Sequence, residues 1–308
     1  MVSIVCLTYN HGPYIERAIK SFVCQKTSFK FEILIHDDAS TDDTPNIIKQ
    51  YQSLYPNLIK PIFQKNNQYS KGVCISETYV APLIKGKYVA ICEGDDFWTD
   101  ENKLQIQFEA LEAHQDVDIC AHSTEGVSDD GSIKQDICPS SVDRLFSLSE
   151  VIIGGGGFVS TNSLFLRKHI FYNDKEPLFR KCLRLDYTLQ IYGSMRGGML
   201  YLHNKMSAFR WLARGSWSER INNDDSMYVA FERQKKEMLV CLNKETSFKY
   251  QSAIERRILI DEYYFFLHVH DYRKALRLRY RFCFSKEHFW KKIKILMKSV
   301  FLNRTYKA

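Results

Sequence analysis

The sequence predicts an α/β fold, a mostly parallel central sheet with helices on both faces, followed by a helical C-terminal region. Three observations carry this expectation. Across residues 1–121, short β-rich runs alternate with helix-periodic stretches, an order that implies right-handed crossovers between parallel strands. The 308 residues are 45% apolar, enough for one large core with an appendage or two modest ones. Beyond Ser216 the pattern is helical to the end, which places a boundary between 1–215 and 216–308.

The elements follow in order. Residues 2–7 read as a buried strand. Pro13 can open a helix at its first position, with Tyr14, Ile15, Ala18, Ile19, Phe22 and Val23 as its apolar stripe. Residues 31–35 form a second strand, and Thr44-Pro45 starts a helix whose buried face holds Ile47, Ile48, Tyr51, Leu54 and Tyr55. A strand near 62–63, a helix over 75–84, a strand at 88–92, a helix over 102–114 and a strand at 117–121 complete the series. Residues 123–158 read as loop-rich and end in Gly154-Gly155-Gly156-Gly157. After them come a strand near 163–166, a helix from Asp186, and two strand-like runs, 199–202 and 206–211.

Charge is unevenly placed. The chain holds 43 Lys and Arg against 36 Asp and Glu, net +7. Residues 272–308 alone carry twelve cations and one acid, Glu287, so the tail is +11 and the remainder −4. Nine cysteines are scattered without a C-x-x-C pair, most inside apolar runs, which points to reduced thiols in a cytoplasmic compartment and excludes a zinc ribbon or disulfide framework. Residues 1–5 lack a basic flank and a cleavage site and read as a first strand, not a signal peptide. No apolar run approaches the roughly 18 to 20 residues of a spanning helix.

In an open α/β sheet, ligands bind at the carboxyl ends of the strands. Three polar clusters directly follow predicted strands: Thr8-Tyr9-Asn10, the run from His36 to Asp43, and Glu93-Gly94-Asp95-Asp96. Three carboxylates in four residues repel one another, whereas a hard divalent cation takes several oxygen ligands. Taken alone, the cluster reads equally as a solvated acidic turn. The Asp37-Asp38 run likewise reads either as a hydrogen-bond acceptor for a base or ribose or as an Asx turn into the next helix.

Taken together, Ser3-Ile4-Val5-Cys6-Leu7-Thr8-Tyr9-Asn10, His36-Asp37-Asp38-Ala39-Ser40-Thr41-Asp42 and Tyr88-Val89-Ala90-Ile91-Cys92-Glu93-Gly94-Asp95-Asp96-Phe97-Trp98 resemble the inverting family 2 glycosyltransferases of GT-A fold. The resemblance covers about residues 1–122 and implies a donor half there, with an acceptor half over 123–215. It implies a nucleotide-diphosphate-sugar donor, a UDP-sugar foremost, and Mn²⁺ or Mg²⁺. By it, Thr8, Tyr9 and Asn10 line the nucleoside, Asp38 receives the base, Glu93 and Asp95 contact the donor, and Asp95 with Asp96 holds the metal. Glu93 stands where the family commonly has Asp.

In the second half, Leu185-Asp186-Tyr187 retains one acid of the family's usual pair and makes Asp186 the candidate general base, although Asp is also a favoured helix cap. Phe209-Arg210-Trp211 resembles the family's segment with a His two residues after the Arg, but Leu212 stands at that position. Diphosphate or metal contact then falls to Arg210, with Arg214 beside it, although an isolated Arg is as well a surface ion-pair partner. Gly154 to Gly157 lacks the Gly-Lys-Ser/Thr ending of a phosphate loop. It reads as backbone freedom near the acceptor, with Ser160, Thr161 and Asn162 as polar contacts, or as a plain linker.

The basic tail mixes aromatic and aliphatic residues with Lys at helical spacing. That suits an anionic membrane surface, where a lipid-linked oligosaccharide acceptor would lie. The expectation is therefore a cytoplasmic enzyme of polysaccharide biosynthesis, peripheral on the inner face of the membrane, with no nucleic-acid partner. The alternative is a non-catalytic sugar-nucleotide sensor or scaffold, since the acidic pair is incomplete and the His absent.

Overall fold

Apolar runs flanked by polar turns fold into the expected parallel core. The computed structural model describes residues 1–129, 132–171, 177–182 and 186–301, which divide into two compact units, 1–220 and 221–308. In the first, β1 (Val2–Thr8) is almost wholly buried, as a central strand covered on both faces must be. β2 (Phe31–Asp37) pairs parallel with one edge of β1, and β3 (Ile59–Phe63) pairs parallel with β2. β4 (Tyr88–Ile91) pairs parallel with the other edge of β1. Helices α1 (Ile15–Val23) and α2 (Thr44–Leu54) make the crossovers, α1 burying Ile15, Ala18, Ile19 and Phe22.

Then follow β5 (Phe97–Trp98), α3 (Lys103–Ala113), β6 (Ile119–Val127), β7 (Ile133–Ile137), β8 (Arg144–Phe146), α4 (Leu148–Gly154), β9 (Phe165–Arg167), three helices, and β10 (Met199–Arg210). The helices are α5 (Lys168–Phe171), α6 (Leu178–Cys182) and α7 (Asp186–Gly193). The sheet runs β3-β2-β1-β4-β9-β6-β10-β5, with β7 beside β6 and β8 beside β10. β9 joins the parallel β1–β4 half to the parallel β6–β10 pair, running antiparallel to both β4 and β6.

Several expectations change. Pro13 does not open a helix. It lies in a turn where the His11 carbonyl accepts the Tyr14 and Ile15 N–H groups at 2.8 Å, and α1 begins at Ile15. Leu54 is 64% exposed and Tyr55 is also exposed, because α2 ends there; Thr44, Ile48 and Tyr51 are buried and Ile47 packs against the core half-buried. The helix over 75–84 is one π turn (Ser76–Val80) and one 3-10 turn (Ala81–Leu83), broken where Pro82 has no N–H to donate. The two runs before Trp211 are one strand, β10, whose pairing with β6 shifts register around the exposed His203-Asn204-Lys205. Residues 123–158 hold half of β6, all of β7 and β8, and α4, which a Ser147–Glu150 capping box starts. Of the nine cysteines, only Cys6, Cys92, Cys120 and Cys283 are buried, so most are not core thiols.

The second unit is helical. α8 (Trp217–Asn223) leads into α9 (Asp225–Glu245), which Asp224 caps by accepting the Ser226 and Met227 N–H groups. After α10 (Gln251–His268), α11 (Tyr272–Ala275) and α12 (Arg281–Lys286) close a small core of Tyr263, Ala275, Tyr280 and Cys283. α13 (Phe289–Phe301) ends the description, so Arg304 and Lys307 of the basic tail lie outside the described residues. No described helix is long and apolar enough to cross a membrane.

Lys103 is fully buried at the start of α3, its Nζ 2.7 Å from Gln107 Oε1 and 4.1 Å from the centre of the Trp98 ring. Burial pushes its ammonium down to about 7. An unfolded chain holds that proton up to about pH 10.4, so from pH 7 upward the unfolded state binds more protons and stability rises with pH. Denaturant titrations should show the wild type gaining on Lys103→Met between about pH 7 and about pH 9, by at most about 1.4 kcal/mol per pH unit. Parallel profiles for the two proteins would refute a neutralised lysine.

Candidate active site

The loops that end β1, β2 and β4 are stitched to one another. The Asp38 N–H donates to the Thr8 carbonyl at 3.0 Å, and the Asn10 N–H donates to Ser40 Oγ at 2.8 Å. Asn10 Oδ1 accepts the Thr41 N–H at 2.8 Å, and Asp37 accepts the Ser40 hydroxyl. From the third loop, the Gly94 N–H donates to the Leu7 carbonyl at 3.0 Å. This approach requires glycine: a Cβ at Gly94 would lie 2.7 Å from Thr8 Oγ1 and 2.9 Å from His11 Nδ1. The three clusters thus meet at one sheet edge, as their positions after strands predicted.

Backbone strain collects there too. Asn10, Ala39 and Leu212 have φ of 55°, 63° and 52°, and they are the non-glycine residues with left-handed backbone among the described residues of the first unit. That conformation costs roughly 1–2 kcal/mol for an ordinary L-residue, and such residues concentrate at functional sites.

The acids differ sharply in how they are held. Asp96 is buried with both oxygens occupied, Oδ1 by the Arg210 N–H at 2.8 Å and Oδ2 by Asn162 Nδ2 at 2.9 Å. Burial first, then Asp95 and Glu93, raises its pKa well above the carboxylate range. Asp95 is buried as well, but its carboxylate accepts no hydrogen bond among the described residues and faces only His11 Nδ1, at 3.9 Å. Glu93 is pushed up to about 8 by burial, by Asp95 and by Asp186. Asp186, the first residue of α7, therefore faces the acidic loop. Its Oδ2 accepts the Thr161 hydroxyl at 2.9 Å and its Oδ1 the Tyr187 N–H at 2.8 Å, while burial raises its pKa. Leu185, beside it, lies outside the described residues.

Two predicted donor contacts have structural partners. Both carboxylate oxygens of buried Asp38 accept backbone N–H groups, Gln68 at 2.8 Å and Tyr69 at 2.9 Å, and so hold the Tyr69–Lys71 turn. Arg210 spans the acidic loop: Nε donates to the Asp95 carbonyl at 3.1 Å, Nη1 to the Ser128 carbonyl at 3.0 Å, and its guanidinium lies 4.6 Å from the Tyr14 ring centre. Tyr9 and Arg214 are exposed.

The match to known proteins fits this geometry. Residues 3–173 match the model of glycosyl transferase family 2. The chain belongs to that family. An uncharacterized protein of Mycobacterium tuberculosis is 34% identical over 216 residues, covering 70% of this chain and 60% of the relative, so the chain matches less than two thirds of that relative's length. The Escherichia coli UDP-Glc:alpha-D-GlcNAc-diphosphoundecaprenol beta-1,3-glucosyltransferase WfaP is 35% identical over 109 residues, covering 35% of this chain and 41% of WfaP. Among solved structures, S. aureus TarS with UDP-GlcNAc aligns with TM-score 0.54 at 16% identity over 91% of this chain and 82% of that one. The Pyrobaculum calidifontis mannosyltransferase PcManGT, in complex with GDP-Man and Mn²⁺, aligns with TM-score 0.54 at 14% identity over all of this chain and 88% of that one. At these identities the structural likeness is one of fold.

In this family 2 chain, no three metal-ligating side chains converge tightly enough among the described residues to hold an ion unaided. Mg²⁺-type sites commonly use one or two carboxylates and take the remaining oxygens from phosphates and water. The Asp95 carboxylate, free of hydrogen bonds and next to the orphaned buried Thr8 Oγ1 and His11 Nδ1, fits such a site. Three contributors have partners that the sequence does not give. Thr161 and Asn162, expected as polar contacts near the acceptor or as part of a linker, bond the acids, and the Tyr69 N–H bonds Asp38. Nothing local in the sequence marks these partners, which come together only through the sheet order.

Proposed function

We propose that the chain is a metal-dependent inverting glycosyltransferase of polysaccharide biosynthesis, a hexosyl- or hexosaminyltransferase. It moves a sugar from a nucleotide-diphosphate-sugar, a UDP-sugar foremost, to a hydroxyl of a glycan or lipid-linked oligosaccharide. The observation that carries this is that two consecutive side chains of one turn, Thr161 and Asn162, bond Asp186 and Asp96, which ties the candidate base to the acidic loop at the carboxyl ends of β1, β2 and β4. The family membership supports it, as do a relative named for UDP-Glc transfer and structural neighbours holding UDP-GlcNAc or GDP-Man.

Each residue has a role in this reading. Thr8, Tyr9 and Asn10 line the nucleoside, and Asp38 accepts from the base while its backbone-anchored carboxylate fixes the Tyr69 turn. Glu93 reaches towards the ribose or the sugar, and Asp95 is the main metal ligand. Asp96 and Arg210 hold the metal-facing loop in shape, Arg210 also lending positive charge near the diphosphate. A bound Mn²⁺ or Mg²⁺ would neutralise charge developing on the departing diphosphate. Asp186 takes the acceptor hydroxyl proton as that oxygen bonds to the anomeric carbon. The bond from that carbon to the diphosphate oxygen breaks, and the electron pair leaves with the diphosphate. One displacement inverts the centre.

The test is incubation of the purified chain and Mn²⁺ with UDP-, GDP- and dTDP-sugars and glycan acceptors, following nucleotide release and product. Transfer from at least one donor is expected. Tight donor binding with neither hydrolysis nor transfer across the panel would leave the sensor reading in its place.

A peripheral place on the inner face of the membrane belongs to the same proposal. The scattered cysteines, without a C-x-x-C pair, support a reducing compartment. On α13, Phe289, Trp290, Leu296 and Met297 are exposed, Trp290 by 78%, among Lys291, Lys292, Lys294 and Lys298. Aromatic and aliphatic anchors flanked by lysines suit an anionic lipid surface, each cation adding about 1 kcal/mol. The protein should sediment with phosphatidylglycerol vesicles at low salt, leave them at high salt and ignore phosphatidylcholine. Failure to sediment with the anionic vesicles would refute it.

A further inference from the structure

A single 3-10 turn, Thr161–Ser163, lies between the glycine-rich segment and β9. Two consecutive side chains on it bond two acids of the site. Thr161 Oγ1 donates to Asp186 Oδ2 at 2.9 Å, and Asn162 Nδ2 donates to Asp96 Oδ2 at 2.9 Å. The turn itself is fixed on several sides. Asn162 is fully buried; its Nδ2 also reaches the Ala208 carbonyl at 2.8 Å, its Oδ1 accepts the Ser207 hydroxyl at 2.7 Å, and its backbone carbonyl accepts the Trp98 indole N–H at 3.1 Å. Ser163 Oγ closes the turn on the Ser160 carbonyl at 2.6 Å, and the Ser163 carbonyl accepts Gln107 Nε2 at 2.8 Å. β5, β10 and α3 therefore all hold this turn in place.

We propose that Thr161 and Asn162 are positioning residues that set Asp186 and Asp96 relative to one another. This rests on the reading of Asp186 as base and of the Asp95–Asp96 loop as the donor and metal side. Asp96 is buried with one N–H donor on each oxygen, which fixes the plane of its carboxyl group, and one of the two donors comes from Asn162. On the other side, the Thr161 hydroxyl and the Tyr187 N–H occupy one oxygen each of Asp186 and so fix the plane of its carboxylate. Because the donors to the two acids are neighbours in sequence on one rigid turn, the distance between acceptor activation and leaving-group stabilisation is built into the backbone. A misplacement of about 1 Å in such a constellation can cost on the order of a hundredfold in rate.

The test uses the full chain. Thr161→Val keeps the shape and removes the donor, while Thr161→Ser restores it. A hydrogen bond to a charged group is worth roughly ten- to a hundredfold, so Thr161→Val should lower kcat about tenfold with donor KM held within about twofold, and Thr161→Ser should recover most of the loss. Asn162→Ala should weaken Mn²⁺-dependent UDP binding by about tenfold in calorimetry. Equal kcat in Thr161→Val and wild type, or a Thr161→Ser variant no better than Thr161→Val, overturns the proposal. A crystal structure of Thr161→Val with Asp186 unmoved also overturns it, whatever the turnover. If the wild type binds UDP and Mn²⁺ but never turns over, the transferase reading fails by itself, and the calorimetry and crystal structure still decide the positioning role.

Discussion

Asp186→Asn is expected to bind a nucleotide-sugar with Mn²⁺ as the wild type does and to transfer the sugar about 10² to 10⁴ times more slowly, the usual share of a general base. The substitution is nearly isosteric. The amide oxygen can still accept one of the two hydrogen bonds that hold the native carboxylate, from Thr161 or from the Tyr187 N–H, so the loop should keep its shape. What disappears is the basic lone pair. The pH profile offers a second readout. Burial raises the pKa of Asp186, and a base works only when deprotonated, so wild-type kcat/KM should fall with decreasing pH above the ordinary aspartate value of about 3.9. That acid limb should vanish in Asp186→Asn. Removing one negative neighbour should also lower the pKa of Glu93, which Asp186 helps to raise. Unchanged turnover in Asp186→Asn would refute the assignment.

The first half of the sheet was legible because its signals are local. An apolar strand such as Tyr88–Ile91 running into Glu93, Asp95 and Asp96 states in one stretch both where the sheet edge lies and that acids gather there. The second half hides its signals in long-range pairings. His122, Ser123 and Thr124 break the apolar pattern of β6 and read as loop, yet all three are buried: Ser123 bonds Tyr201, and Thr124 meets Ser207 and Asn162. A buried polar residue looks like a surface residue until its partners are known. The same holds for Lys103, which lies at the start of a helix and is a core residue over Trp98. Arg210 is the instructive case. The resemblance of Phe209-Arg210-Trp211 to a family segment suggested a diphosphate ligand, and the visible bonds of Arg210 to the acidic loop, backbone N–H to the Asp96 carboxylate and Nε to the Asp95 carbonyl, are encoded by no motif.

The distinction between Asp95 and Asp96 gives the second large effect. Asp95→Ala should abolish the tightening of UDP binding by Mn²⁺ and reduce transfer about a thousandfold or more, since a catalytic cation is worth several kcal/mol. Folding should not suffer. The Asp95 carboxylate accepts no hydrogen bond among the described residues, and its loss relieves repulsion from Glu93 and Asp96. Asp96→Ala should behave in the opposite order. It leaves the buried Arg210 N–H and one Asn162 Nδ2 contact without an acceptor, at about 1–3 kcal/mol for each unsatisfied donor, so a lower Tm comes before any specific loss of metal response. Thermal melts paired with calorimetry of UDP, with and without Mn²⁺, separate the two. An Asp95→Ala protein that keeps its Mn²⁺ response, beside a stably folded Asp96→Ala protein that has lost it, would exchange the roles of ligand and anchor. The hydrogen bonds argue against that result, because a carboxylate with both oxygens already bound inside the protein is poorly placed to turn towards an ion, and the one left unbonded is not.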